Sequence, residues 1–283
     1  GASLAGGVAL AGFTPSVAFS EEQKRGGKLR VAALIGSNAD LDPHGTTSAA
    51  GVKKALYDSL VELDDKMQLV NATVEAFEPE GGDLQKWIIK LVPGIKWHNG
   101  KPFTVDDVMF TIRRITNPDH PRAAAALMGD IDVDKMEKVD DLTLRLHLKA
   151  PNSALRRAFT PSYSCIVPVD FDPKNPVGTG PFKQVSFTPE QRWTGERFDD
   201  YWRVKGGAYL DQIEFVSFAS AAAALNALLA GQLDAIPNLF ASQLPQIQTR
   251  PNLKTVESET GYIIQVGMNC RKGAPFEDPR VRE

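Results

Sequence analysis

No stretch of the sequence is an uninterrupted apolar run long enough to cross a membrane as a helix. Neither sign of charge dominates. The 35 acidic side chains against 32 basic ones leave a net charge of -3, and nothing in that balance points to the basic surface that nucleic acid requires. Signatures of hydrolytic chemistry are missing too: there is no G-x-S-x-G and no H-E-x-x-H. The four histidines, His44, His98, His120 and His147, are scattered without metal-ligand spacing. We therefore expect no catalytic residues, no metal site and no cofactor. Cysteine is scarce, and Cys165 and Cys270 lie far apart; their spacing leaves open a bridge between them, or one from Cys270 to another segment.

What is present is enough chain, at 283 residues, for a sizeable core and more than one compact unit. The most legible stretch runs from Lys90 to Thr116. Lys86 to Leu91 reads as a strand ended by Pro93-Gly94, and a second short strand, Ile95 to His98, runs into the tight-turn dipeptide Asn99-Gly100. A helix is predicted next, with the Thr104 hydroxyl placed to cap it and Asp106 and Asp107 at its positive end. Val105, Val108, Met109, Ile112 and Ile115 form its apolar stripe, and Asn117-Pro118 stops it.

The order WHNGKPFT, acidic pair, apolar helix resembles the signature of the family 5 solute-binding proteins. Three more motifs fall in the same order: LDP at Leu41 to Pro43 with ALYDSLVELD from Ala55, VGTGPF at Val177 to Phe182 with ERFDDYW at Glu196 to Trp202, and PFEDPRVRE at the end. Gly195 and Phe198-Asp199 depart from the family pattern in ways that touch packing only. The family comprises extracytoplasmic receptors of ABC importers for oligopeptides, dipeptides, nickel complexes and some sugars. The resemblance implies an α/β fold, periplasmic-binding-protein type II-like, of the cluster with an extra subdomain: a mixed sheet flanked by helices, here the first lobe only. Residues 21–43 and 177–260 would form that lobe, 44–176 its inserted subdomain, and 261–283 the hinge strand and start of a truncated second lobe. The implied activity is capture of a peptide between two closing lobes and delivery to a membrane permease, by a monomer. Nickel chelates, opines or oligosaccharides are alternative solutes, and a secreted hydrolase is a remote alternative class.

Residues 1–20 are small, apolar and uncharged and lead into the polar EEQKRGG, as the later part of a secretion signal would. Export to the periplasm or the outer face of the cell membrane is expected, and the segment holds no lipobox cysteine. Its Gly/Ala-rich character resembles a twin-arginine export signal.

Candidate ligand contacts follow from strand ends. Lys28 to Ile35 alternates Leu29, Val31, Ala33 and Ile35 and reads as the first core strand, so the turn carrying Ser37 and Asn38 lies where open α/β sheets collect ligands. By resemblance, Thr46, Thr47 and Ser48 line the cleft as well. IEFVSF, AAAALNALLAGQ and LDAIPN read as a βαβ unit ending in a strand from Asp234 to Pro237, which adds Asn238 and Leu239. Further expectations are a helix from Val52 through Leu56, Leu60 and Leu63, a period-two strand from Leu142 to Leu148 with His147 solvated, and a solvated connection over Asp130 to Asp141. Gly178-Thr179-Gly180 is expected at a tight crossing where only glycine fits, followed by a hairpin around Thr188-Pro189. His98 reads as a turn residue.

Overall fold

The computed structural model describes residues 25–37, 39–45, 50–120, 122–203 and 208–256. Residues 1–20, the crossing strand expected at 261–269, the closing PFEDPRVRE and Cys270 lie outside the described residues.

In chain order, β1 (Lys28–Ala33) is followed by α1 (Ala50–Leu56), β2 (Val61–Leu63), β3 (Leu69–Asn71), β4 (Val74–Glu80), β5 (Asp83–Leu91) and α2 (Val105–Thr116). Then come β6 (Glu137–Lys138), β7 (Thr143–His147), β8 (Phe182–Thr188), β9 (Arg192–Arg197), β10 (Gln212–Ser217), α3 (Ala221–Leu229) and α4 (Leu244–Gln248). One sheet has the order β1-β10-β9-β8, with β1 parallel to β10 and the rest antiparallel. It is mixed and helix-flanked, as expected. A second four-stranded sheet, β4-β5-β7-β6, is antiparallel throughout, and β2 pairs β3 in a separate ribbon.

The central helix forms as its pattern requires. Val105, Val108, Ile112 and Ile115 of α2 are fully buried against Ile89 and Leu91 of β5 and Leu144 and Leu146 of β7. Each such burial contributes roughly 1.5–3 kcal/mol. A helix this short would be marginal alone, so packing sustains it. The capping box between Thr104 and Asp107 forms, and the Asp107 carboxylate accepts from the Thr104 N–H (3.0 Å), from Trp97 Nε1–H (3.1 Å) and from the Val169 N–H (3.1 Å). One buried carboxylate thereby ties the helix start to the turn before it and to a distant segment. The expected strand Ile95 to His98 reduces to a single bridge, Lys96 to Pro102, closing a tight turn in which Gly100 takes a positive φ of 83°.

The helix expected through Leu63 stops at Leu56. Its continuation would need the Leu56 carbonyl to accept from residue 60, but that carbonyl accepts from the Gly180 N–H at 2.9 Å. Val61 to Leu63 becomes β2 instead. A Cβ on Gly178 would lie 1.7 Å from the Leu56 oxygen, and one on Gly180 2.5 Å from the Ala55 oxygen. The crossing is therefore closed to any side chain. His98 fastens it from the other side: its Nε2–H donates to the Gly180 carbonyl (2.8 Å) and its Nδ1 accepts from the Gly178 N–H (3.3 Å).

Two more apolar clusters sit on either face of the mixed sheet. Val31, Ile35, Leu56, Tyr57, Trp193 and Phe215 form one, and Ala32, Ala224, Leu225, Leu228 and Ile247 the other. α3 ends just before Gly231, which takes a positive φ of 72°. The strand expected from Asp234 to Pro237 pairs with β1 at one parallel bridge only, Val31 to Ala235. Pro237 lacks a donor, and the Asp234 side chain is taken by Arg30. Leu144, Leu146 and Leu148 face inward as the period predicted, while residues 130–141 hold the short strand β6 and the buried Met136.

We predict that Gly178→Ala costs about 3 kcal/mol or more in urea unfolding, because the methyl overlaps backbone rather than a movable side chain. Gly129→Ala, whose Cβ meets nothing nearer than 3.7 Å, is the control and should stay within about 0.5 kcal/mol of the parent.

Candidate ligand-binding site

Because β10 and the Ala235 segment both run parallel to β1, the carboxyl ends of three extended segments emerge at one edge of the sheet. Open α/β sheets bind solutes beyond such an edge. Ser37 is exposed in the turn after β1, and Asn238 is exposed after the Ala235 segment, so the structure brings these two to the same rim. Leu239 is half-buried and packs onto the cluster beneath α3, which leaves mainly its backbone for a solute. Asn38, Thr46, Thr47 and Ser48 lie outside the described residues.

The loop leading to residues 46–49 is clamped. Arg114 on α2 donates to both oxygens of the buried Asp42 (3.0 and 2.6 Å), and Arg122 adds a third bond at 3.1 Å. Burial disfavours the Asp42 anion, but the Arg114 guanidinium and a bond from the His44 N–H hold its carboxyl below the usual range. His44, wholly buried, donates from Nε2 to the Cys165 carbonyl (2.8 Å) and accepts at Nδ1 from Arg114. Loss of hydration brings its pKa from 6.5 down to about 4, so it is held neutral. Lys53, 3% exposed, donates to the carbonyls of Pro43 (3.1 Å) and Gly45 (2.9 Å), and burial lowers its pKa. Tyr57 closes the far side through its hydroxyl to the Leu41 carbonyl (2.8 Å). The LDP motif is thus an anchor that fixes where the adjoining segment starts.

A second anchor joins the YDSL and DDYW motifs. Tyr201 O–H and Trp202 Nε1–H donate to the two oxygens of Asp58 at 3.2 and 2.9 Å. Loss of hydration pushes the Asp58 carboxyl up to about 6, against the pull of these bonds. Arg203 stacks over the Trp202 ring and pairs with Glu62. Sequence reasoning missed Arg114, Lys53 and the clamping role of His44. The available signal was a histidine directly after LDP and a basic pair in the last turn of α2.

Among the described residues no group of His, Cys, Asp and Glu is placed to hold a metal ion, and no helix is long and apolar enough to cross a membrane. The arrangement supplies a fixed rim of backbone and small polar groups. The model of bacterial extracellular solute-binding proteins, family 5 Middle, matches residues 69–283. The chain belongs to this family. Glutathione-binding protein GsiB of Pectobacterium atrosepticum is 28% identical over 262 residues, covering 89% of this chain and 50% of that protein. Oligopeptide-binding protein AppA of Bacillus subtilis is 28% identical over 249 residues, covering 83% of this chain and 45% of its own length. Among solved structures, the binding protein AgaA in complex with agropinic acid, from A. tumefaciens, matches with a TM-score of 0.73 at 28% identity, over 80% of this chain and 46% of that one. AppA of Bacillus subtilis holding a nonapeptide matches with a TM-score of 0.71 at 26% identity, over 82% and 48%. The chain spans about half the length of the curated relatives it matches. Family 5 members are periplasmic or extracellular binding proteins, and these relatives are solute-binding proteins rather than enzymes.

The buried histidines set an acid limit on the family 5 fold seen here. His44 and His98 both have pKa values lowered from 6.5 to about 4, so each contributes stability above pH 6.5 that is lost as pH falls towards 4. For His44 this amounts to roughly 3 kcal/mol. Asp58, raised from 3.8 to about 6, and Asp107, also raised by burial, act in the opposite sense, while Asp42, held low, acts with the histidines. We predict a urea midpoint that falls between pH 7 and pH 4.5. His98→Gln should lower the midpoint at pH 7 and flatten its fall with acid; an unchanged slope would contradict the assignment.

Proposed function

We propose that this protein is the extracytoplasmic substrate-binding component of an ABC importer, that its solute is a peptide, and that it delivers this solute to a membrane permease after two lobes close on it. The observation that carries the reading is the rim at which Ser37 and Asn238 emerge together from parallel segments, on a chain of family 5. Exposed hydroxyl, amide and backbone groups suit the repeating donors and acceptors of a peptide main chain. The relatives' names, glutathione-binding and oligopeptide-binding, and the nonapeptide held by a neighbour support the same solute class. The neighbour AgaA holds agropinic acid at similar identity, which makes an opine-like solute the second reading.

In this reading residues 21–43 and 177–260 form the first lobe, 44–176 its inserted subdomain, and 261–283 lead into a second lobe. The solute shifts the open-to-closed equilibrium only by what it contacts better in the closed form. The protein acts as a monomer in the periplasm or at the outer face of the membrane, with 1–20 belonging to an export signal.

Mass spectrometry of solute co-purified with the full-length protein, followed by calorimetric titration of what is found, tests the proposal. A mixture of short peptides is expected; one opine, sugar or metal chelate would keep the transport role and overturn the peptide assignment. Asn238→Ala should then weaken binding about tenfold with an unchanged melting temperature, since the side chain is exposed.

A further inference from the structure

Asn99-Gly100 is the one Asn-Gly pair in the sequence. It stands in the turn from Trp97 to Lys101, both residues are exposed, and beyond its chain neighbours no atom lies within 4 Å of where a Cβ on Gly100 would stand. An asparagine followed by glycine can react with its own main chain. The Gly100 nitrogen, unhindered by a side chain, gives up its proton and attacks Asn99 Cγ. A five-membered imide closes through the new N–Cγ bond while the Cγ–Nδ2 bond breaks, and the departing amide takes a proton to leave as ammonia. Water then opens the ring: addition at Cγ gives aspartate, and addition at the backbone carbonyl gives isoaspartate, whose chain runs on through Cβ and Cγ.

The folded turn withholds both reacting groups. The Gly100 N–H donates to the Trp97 carbonyl (2.8 Å), and Asn99 Oδ1 accepts from the Lys101 N–H (3.1 Å). Attack needs both bonds released, and the residues on either side are fastened to the rest of the fold. The Trp97 N–H donates to the Lys101 carbonyl (2.9 Å), and the Trp97 side chain is buried with its Nε1–H on Asp107. His98 holds Gly178 and Gly180 through its two ring nitrogens and meets the Phe198 ring edge-on. Lys101 pairs with Asp170. The pair is thus open to water and yet fixed in backbone, which separates it from an ordinary loop asparagine.

We infer that Asn99 is a deamidation site that the fold keeps shut, and that it reacts only when the glycine crossing held by His98 opens. Isoaspartate adds one atom to the main chain between residues 99 and 100. The bonds that close the turn, Gly100 to Trp97 and Trp97 to Lys101, then lose their register, with His98 inside the disturbed loop. A passing opening is thereby made permanent.

The test compares full-length protein with the free peptide Trp-His-Asn-Gly-Lys-Pro in one mildly alkaline buffer, with mass-spectrometric peptide mapping of the amide-to-carboxylate change at residue 99. The native protein should react on the order of a thousandfold or more slowly than the peptide, in keeping with the small share of molecules unfolded at any moment. In a urea series its rate should equal the peptide's rate multiplied by the unfolded fraction that tryptophan fluorescence reports. At a fixed urea concentration short of the parent's transition, His98→Gln should raise the rate about tenfold by weakening the grip on the crossing. A native rate within about a hundredfold of the peptide's would overturn the inference, because the turn would then give no such protection. So would a rate that climbs with urea ahead of the fluorescence, which would mean a turn that opens by itself. A rate left unchanged by His98→Gln would overturn it as well, by separating the site from the crossing.

Discussion

The contact on which the rest of the structure depends is the passage of Gly178-Thr179-Gly180 across the carboxyl end of α1. The Leu56 carbonyl accepts from the Gly180 N–H instead of continuing its helix, and His98 grips the same segment through both ring nitrogens. Three parts of the chain meet there: α1, which packs on the mixed sheet; the WHNG turn, which opens α2; and the strand that becomes β8. Hydrogen bonds at a site with no room for a Cβ transmit position with little slack. Asp58 beneath Tyr201 and Trp202, and Asp107 beneath Trp97 and Val169, repeat the arrangement on either side. Buried carboxylates each answer donors from segments remote in sequence.

In the reading proposed above, the recognisable motifs therefore serve as frame rather than as site. WHNG, GTG, YDSL and DDYW are spent on joining the packed bodies, and LDP is spent on anchoring the loop before residues 46–49. What these motifs leave over is the edge beyond the sheet, where Ser37 and Asn238 are exposed and, in the reading proposed above, open to a solute.

Local physics made much of this legible. α2 could be read because its stripe, acidic first turn and Asn117-Pro118 stop all lie within one stretch, and Leu142 to Leu148 because the period of two is undisturbed. The glycine crossing was legible from composition, since two glycines beside Pro181 suit close backbone approach. The helix through Leu63 failed for a reason outside any window: the competitor for the Leu56 carbonyl arrives from Gly180. The strand at Asp234 to Pro237 shrank to one bridge because Pro237 cannot donate. Of the candidate site, the shared position of Ser37 and Asn238 followed from parallel strand order. The clamp of Asp42 by Arg114 and Arg122 did not, because pairing between a loop and the far end of a helix leaves no periodic trace.

The central claim is that the crossing opens only when the whole body does. Amide hydrogen exchange of Gly180 and His98 in the full-length protein, followed as a function of denaturant, addresses it directly. We predict that both amides exchange with the free energy and denaturant dependence of global unfolding, level with the core amides of β5. Exchange through a low-energy opening that is independent of denaturant, while β5 stays protected, would contradict the claim and make the crossing a loose contact between bodies that hold together by other means.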